Sequence, residues 1–297
     1  MSPDRPLVSG VIIFLNAEAY LAEAIDSVLA QSYPELELLL VNDGSSDCSP
    51  AIAHEYAERH PGKVRVLSHP GNVNRGMSAS RNLGVAHASG SYIAFLDADD
   101  VWLPTKIEEQ VEILVAHPDV ALLYGSTQIW HSWEESSRRT DFFYPLGVAV
   151  NQVYRAPQML GNLIENRYQT PTTCNAIISR AAYLHLGGFE ESFRGMYEDQ
   201  AFFAKLYLAY PIYVSDRYWA RYRQHGGNSG APFSYLVYYR ERQQFMKFVY
   251  ERCVPYWTAL DNWSRAVVKR EHWRAQHPRF AAIVQHARRR WPGIFAR

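Results

Sequence analysis

Residues Tyr92–Asp100 read YIAFLDADD, a run of five apolar or aromatic side chains closed by three acids within four residues. An unbroken apolar run of that length, with no alternation, reads as a strand buried on both faces, the pattern of a parallel sheet. Upstream, Val8–Leu15 (VSGVIIFL) is near-continuous in the same way, Leu36–Val41 (LELLLV) reads as a second strand, and Val64–Leu67 as a short one. Between these runs the period changes. Leu21, Ile25, Val28 and Leu29 recur at helical spacing. Ser49 stands as an N-cap before Pro50 and opens a helix to about His60, and Ser78–His87 reads as helix. Downstream a helix follows Pro104, with Ile107, Val111, Leu114 and Val115 on one face, and Val120–Tyr124 is again strand-like. Strands alternating with helices predict a Rossmann-like α/β fold, a mostly parallel sheet flanked by helices. Such sheets bind ligands outside the carboxyl ends of their strands. The polar clusters Asn16–Glu18, Asn42–Asp47 and Asp97–Asp100 fall at those ends.

Past Ser126 the pattern loosens. Trp130–Ser137 and Asp141–Pro157 read as loops or short strands, Ala176–Ser179 and Arg217–Tyr222 as strands, Asp199–Tyr210 as a helix, and Gln224–Gly230 as a glycine-rich loop. In Ser234–Cys253, Tyr235, Tyr239, Phe245, Met246 and Val249 form a helical stripe expected to pack on the sheet.

The chain has 297 residues, 47% of them hydrophobic, enough for one large domain or two fused halves. Thirty Lys/Arg balance thirty Asp/Glu, which speaks against a polybasic nucleic-acid binder, and no nucleic-acid partner is expected. The charge is uneven, however. Residues 264–297 hold nine Lys/Arg against Glu271 alone, a charge of +8, leaving −8 on residues 1–263. With Trp273, Phe280 and Trp291 interspersed, that tail suggests peripheral contact with an anionic membrane leaflet. Cys48, Cys174 and Cys253 are odd in number and lack metal-site spacing. No signal peptide or membrane-length apolar run is evident, so a cytoplasmic location is expected, at most peripheral on the inner face of the membrane.

Five places carry candidate chemistry. Asp97 and Asp99 could hold a hard divalent ion, or they could cap the next helix; the strand-end position favours the ion. Asp43, in VNDGSSD, could accept hydrogen bonds from a base or a ribose, or close an Asx-turn. NRGMSASRN (residues 74–82) feeds a glycine turn into a helix start with Arg81 one turn in, suited to an anionic or nucleotide ligand or simply to a capped helix. Glu198-Asp199 could be a helix-start dipole pair or could supply a general base. His225, in YRQHGGNSG, could complete a metal shell or be an ordinary loop residue.

Taken in order, VSGVIIFLNAEAYLAEAIDSVLAQSYPELELLLVNDGSSD, NRGMSASRNLGVAHASGSYIAFLDADD and MYEDQAFFAKL resemble glycosyltransferase family 2, over roughly residues 7–230. The resemblance implies the GT-A fold and an inverting transferase. It would use Mn²⁺ or Mg²⁺ and a nucleotide-sugar donor, most often a UDP-sugar. It divides the chain into a nucleotide-sugar-binding half (1–125), an acceptor-binding half (126–230) and a basic helical extension (231–297). Position by position, it places Leu15, Asn16 and Glu18 near the nucleoside, Asp43 on the base and Arg81 on the nucleotide. Asp97 falls on the ribose or a metal-bound water, Asp99 on the metal, and His225 in a late loop facing the diphosphate. Asp199 becomes the catalytic base, with Glu198 shaping the acceptor side. The acceptor would be a hydroxyl of a glycan, a lipid-linked sugar or another molecule, in cell-surface polysaccharide or glycolipid synthesis. Ile13 stands where the family often has proline, and Asn42 where it often has aspartate. The QxxRW signature of processive synthases is absent, which implies single additions. A non-catalytic sugar-nucleotide-binding protein and a nucleotidyltransferase are the alternative readings.

Overall fold

The computed structural model describes residues 5–226 and 235–278. Within them the first half follows the expected alternation: β1 (Val8–Phe14), α1 (Leu21–Leu29), β2 (Leu36–Asn42), α2 (Ser49–Arg59), β3 (Val64–Ser68), α3 (Met77–Ala86), β4 (Tyr92–Asp97), β5 (Val101–Trp102) and α4 (Lys106–Ala116). There follow β6 (Leu122–Trp130), β7 (Phe142–Phe143), β8 (Gln152–Tyr154), α5 (Leu160–Glu165), β9 (Ile177–Ser179), α6 (Arg180–His185), α7 (Glu198–Ala209) and β10 (Ile212–Arg223). Two helices, α8 (Tyr235–Cys253) and α9 (Asn262–Gln276), come after the sheet.

The strand order is β3-β2-β1-β4-β9-β6-β10-β5, with β7 beside β6 and β8 beside β10. The pairs β3-β2, β2-β1, β1-β4 and β6-β10 are parallel, while β9 lies antiparallel to both β4 and β6. Only Ala98–Asp100 separate β4 from β5, although three strands stand between the two in that order. Four Cα steps reach at most about 14 Å, whereas four interstrand spacings come to roughly 19 Å. The sheet must therefore curl, which brings the acidic turn after β4 close to the end of β10.

Strand alternation sorts the core onto two faces. Val11, Ile13, Leu39, Val41, Ile93 and Phe95 point to one layer, with Val85 of α3 and side chains of α5 to α9. Ile12, Phe14, Leu38, Leu40, Ala94 and Leu96 point to the other, which α1, α2 and α4 cover. The stripe of α8 lands differently from expectation. Phe245, Met246 and Val249 are fully buried, but α8 packs on α7 and α9 rather than on the sheet; the side chain of Tyr235 lies outside the description. The start of α2 also differs, because Cys48 is its N-cap. Asp47 Oδ1 accepts the Ser49 N–H (3.0 Å), and the Ser49 hydroxyl accepts from Ala17 N (2.8 Å).

Candidate active site

A cleft of about 760 Å³ opens at the carboxyl ends of β1, β2 and β4. Its wall includes Leu15, Asn16, Asp43, Asp97, Asp99 and His225, six of the candidates, gathered from four separate stretches of sequence. The volume lies within the range of small-molecule and cofactor sites.

The nucleoside-side residues sit on loops that tie one another down. Asn42 Oδ1 accepts the Ser45 N–H (2.8 Å), and its amide donates to Asn72 Oδ1 (2.8 Å), a donation that aspartate could not make. Gly44 follows at φ 88°, where a Cβ would lie 2.8 Å from Asn74 N, so only glycine fits. Asp43 is buried and is not occupied by an Asx-turn in its own loop. It accepts the Arg75 N–H (2.7 Å) and the Gly76 N–H (3.0 Å), clamping the turn into α3. Asn16 holds an unfavourable φ of 50° and accepts from Ser46 N (2.8 Å). Glu18 is not on the cleft wall. Its carboxylate accepts the Cys48 N–H (2.8 Å) at the start of α2.

The acidic turn is braced from three sides. Asp97 accepts from Arg81 Nη2 (2.8 Å) and from the Thr173 hydroxyl (3.1 Å). Asp99 Oδ2 lies 3.0 Å from His225 Nε2, and its carbonyl accepts from Arg223 Nε (2.7 Å). Asp100 is buried and accepts the Arg223 N–H (2.9 Å). Burial and the charge of Asp97 raise the Asp99 carboxyl; burial, Asp99 and Asp97 raise that of Asp100 well above the usual range. The His225 ring lies against Tyr20, centroids 4.7 Å apart and tilted by 36°. The Arg223 guanidinium, 4.4 Å from the Trp130 ring and 5.0 Å from the Trp133 ring, fixes the strand end that delivers His225.

Arg81 does not face the cleft. It is 2% exposed, bonded to Asp97, with Nη1 3.8 Å from Glu198 Oε1. It thus joins the acidic turn to the first turn of α7. Asp199, half-buried, lies beyond that bridge and is not on the wall of the cavity. Its carboxyl is pushed up to about 7 by burial and by the Glu198 charge, against the pull of Arg81.

Among the described side chains of the wall there are three carboxylates and one arginine, Arg194. Two acids crowding at Asp97 and Asp99 beside an imidazole are donors that suit a hard divalent cation. No three His, Cys, Asp or Glu side chains are gathered as a metal cage among the described residues. An ion here would complete its shell with ligand oxygens and water. Arg194, Thr173 and Tyr20 had no mark in the sequence. Arg194 comes from the glycine-bearing loop before α7, and its Nη2 is 3.3 Å from Asn74 Oδ1.

The profile of Glycosyl transferase family 2 matches residues 9–187. EpsJ of Bacillus subtilis, an uncharacterised glycosyltransferase, is 43% identical over 53% of this chain and 43% of its own. WfgD of Escherichia coli, a UDP-Glc:α-D-GlcNAc-diphosphoundecaprenol β-1,3-glucosyltransferase, is 33% identical over 42% of this chain and 47% of its own. The aligned part spans 35% to 64% of the first three curated relatives. Among solved structures, TarS of S. aureus in complex with UDP-GlcNAc superposes with a TM-score of 0.61 at 21% identity, over 82% of this chain and 66% of that one. The mannosyltransferase PcManGT of Pyrobaculum calidifontis, in complex with GDP-Man and Mn²⁺, gives 0.58 at 17% identity, over 96% and 80%. These likenesses give the GT-A fold, and the profile match gives the lineage: the chain belongs to glycosyltransferase family 2.

Proposed function

We propose that this protein transfers a sugar from a nucleoside diphosphate sugar, a UDP-sugar by preference, to an acceptor hydroxyl with inversion, in single additions. The observation that carries the reading is the cleft that gathers Asp43, Asp97, Asp99 and His225, with Glu198-Asp199 one buried arginine away. UDP-GlcNAc bound to TarS and the UDP-glucose used by WfgD support the donor class. The lipid-linked acceptor of WfgD supports an acceptor presented at a membrane, and the +8 tail is read as the element that meets it. Of that tail, residues 279–297 lie outside the described residues.

In this reading Leu15, Asn16 and Asp43 face the nucleoside, and Asp97 faces the ribose side. Asp99, with Asp97 and His225 beside it, would hold Mn²⁺ or Mg²⁺, which when bound supplies positive charge opposite the departing diphosphate. Arg81 keeps Asp97 oriented and does not touch the nucleotide. Asp199, able to take a proton near neutral pH, removes it from the acceptor hydroxyl, and the oxygen attacks C1 from the face opposite the leaving group. A single displacement inverts the anomeric centre. Glu198 shapes the acceptor side and keeps the proton affinity of Asp199 high.

A base of this kind contributes roughly 10²–10⁴-fold in rate. Asp199→Asn is expected to lose that factor in UDP release from UDP-glucose or UDP-GlcNAc while binding UDP as the parent does by calorimetry. Near-normal turnover would overturn the assignment.

A further inference from the structure

We propose that α8 is the template that aims the Glu198-Asp199 pair, acting through Tyr197 as a positioning residue; this rests on the reading of Asp199 as the base. Tyr197 precedes the pair as the N-cap of α7 and holds φ 65°, ψ 10°. A bulky residue in that left-handed region is unfavourable and persists only where its surroundings over-determine it. Here they do. The Tyr197 ring is 8% exposed and stacks on Phe245 of α8 at 4.9 Å and 10°. The Arg242 guanidinium lies 5.6 Å from the same ring and is itself fastened to the Ile164 carbonyl at 2.8 Å.

The rest of the loop is seated on the same helix. Arg252 pairs with Glu190 at 3.0 Å, Gln244 donates to the Ser192 carbonyl at 3.2 Å, and Phe248 meets Phe193 edge-on at 5.4 Å. The loop's entry is held by Lys205, which donates to the carbonyls of Leu186 and Gly188. The segment from Leu186 to Tyr197 is therefore fixed at its entry and along its length. The torsion at Tyr197 then sets where the first turn of α7 points its two carboxylates. Neither Tyr197 nor Phe245 lines the cleft. An effect on turnover would therefore pass through geometry rather than through donor contact, and misplacement by about 1 Å can cost on the order of 10²-fold.

Tyr197→Gly separates the ring from the torsion, because glycine takes φ 65° freely and offers nothing to stack. With UDP-glucose and UDP-GlcNAc as donors and Mn²⁺ present, kcat for UDP release should fall about 10- to 100-fold, with donor KM and calorimetric UDP affinity within twofold of the parent. Tyr197→Phe keeps the ring and should restore kcat to within about twofold. Hydrogen–deuterium exchange of a peptide spanning 196–203 reads the same point without substrate. It should quicken in Tyr197→Gly and stay at the parent's rate in Tyr197→Phe. Should Tyr197→Gly fail to fold, Phe245→Leu, which removes only the stack, must show the same split. A Tyr197→Gly variant with parental kcat or parental exchange overturns the proposal, as does a loss of UDP affinity matching the loss of kcat. Asp199→Asn in the same assay keeps the two readings apart. Its full activity would sink the base assignment, whereas an inactive Asp199→Asn beside an unaffected Tyr197→Gly would sink only this one.

Discussion

At the scale of single residues, several side chains do work that their neighbours in sequence conceal. Lys106 looks like a surface residue at the start of α4, yet it is fully buried, donating to Gln110 and to the Asn175 carbonyl. Burial pulls its ammonium down from 10.5 to about 7. Between those values the unfolded chain keeps a proton that the folded one has released, so stability rises with pH across that window. Lys106→Met should flatten that rise, as measured by urea melts at pH 7 and pH 9.5; an unchanged slope would mean that the lysine is not the cause. Asp99→Ala should weaken UDP binding in the presence of Mn²⁺ and leave EDTA-treated protein unaffected, a difference that calorimetry resolves. Asp43, Asp97, Asp99 and His225 were legible in the sequence because acids and imidazoles at strand ends advertise themselves. The inward face of Arg81 was not, since a helix N-terminus gives no hint of which side its arginine takes. Thr173 and Arg194 were invisible for the same reason: each reaches the site across long loops, and ordinary residue types carry no local signal.

Elements differ in how far their own sequence specifies them. The first four strands were legible almost to the residue: β1, β2 and β4 are buried on both faces and nearly all apolar, while β3, at the end of the strand order with Arg65 exposed, is marked by Val64, Val66 and Leu67. The apolar run Val120–Tyr124 predicts a strand that ends there, but β6 continues to Trp130. Gly125-Ser126-Thr127-Gln128 resembles a loop, and it is extended because β10 pairs with it across two register shifts. α5 carries no sequence signal: it has six residues, and Leu160, Gly161, Leu163 and Ile164 are all buried, so no polar face marks a period. The loop after β2 offers a test at this scale. Gly44→Ala adds a methyl group against the backbone of Asn74 in a torsion that alanine disfavours. It should destabilise the protein by more than about 1 kcal/mol, read from chemical denaturation, and weaken UDP binding by displacing Asp43. A variant as stable as the parent would show that the loop has room to shift.

For the whole molecule, charge and curl matter most. No described helix is long and apolar enough to cross a membrane. The element proposed to meet a membrane-presented acceptor is the basic tail. α9 buries Val267 and Val268, so the informative truncation ends at Pro278 and keeps the helix. That shortened chain should lose salt-sensitive binding to vesicles containing anionic lipid while melting at the parental temperature; equal binding by both chains would rule out the tail. The α/β class was legible because alternation of periods is a global signal. The antiparallel insertion of β9 was not, since a three-residue strand acquires its place from the two neighbours it joins.

That insertion bears on how the chain is made. β3, β2, β1 and β4 all come from residues 8–97, so four of the ten strands can assemble while the ribosome is still translating the rest. Its outer border at β4 then lies open, with Ile93 and Phe95 beside it, until Ile177–Ser179 emerge to cover it. For some eighty residues of synthesis the nascent protein carries a sticky flank, and slowed translation in that interval is where aggregation should begin.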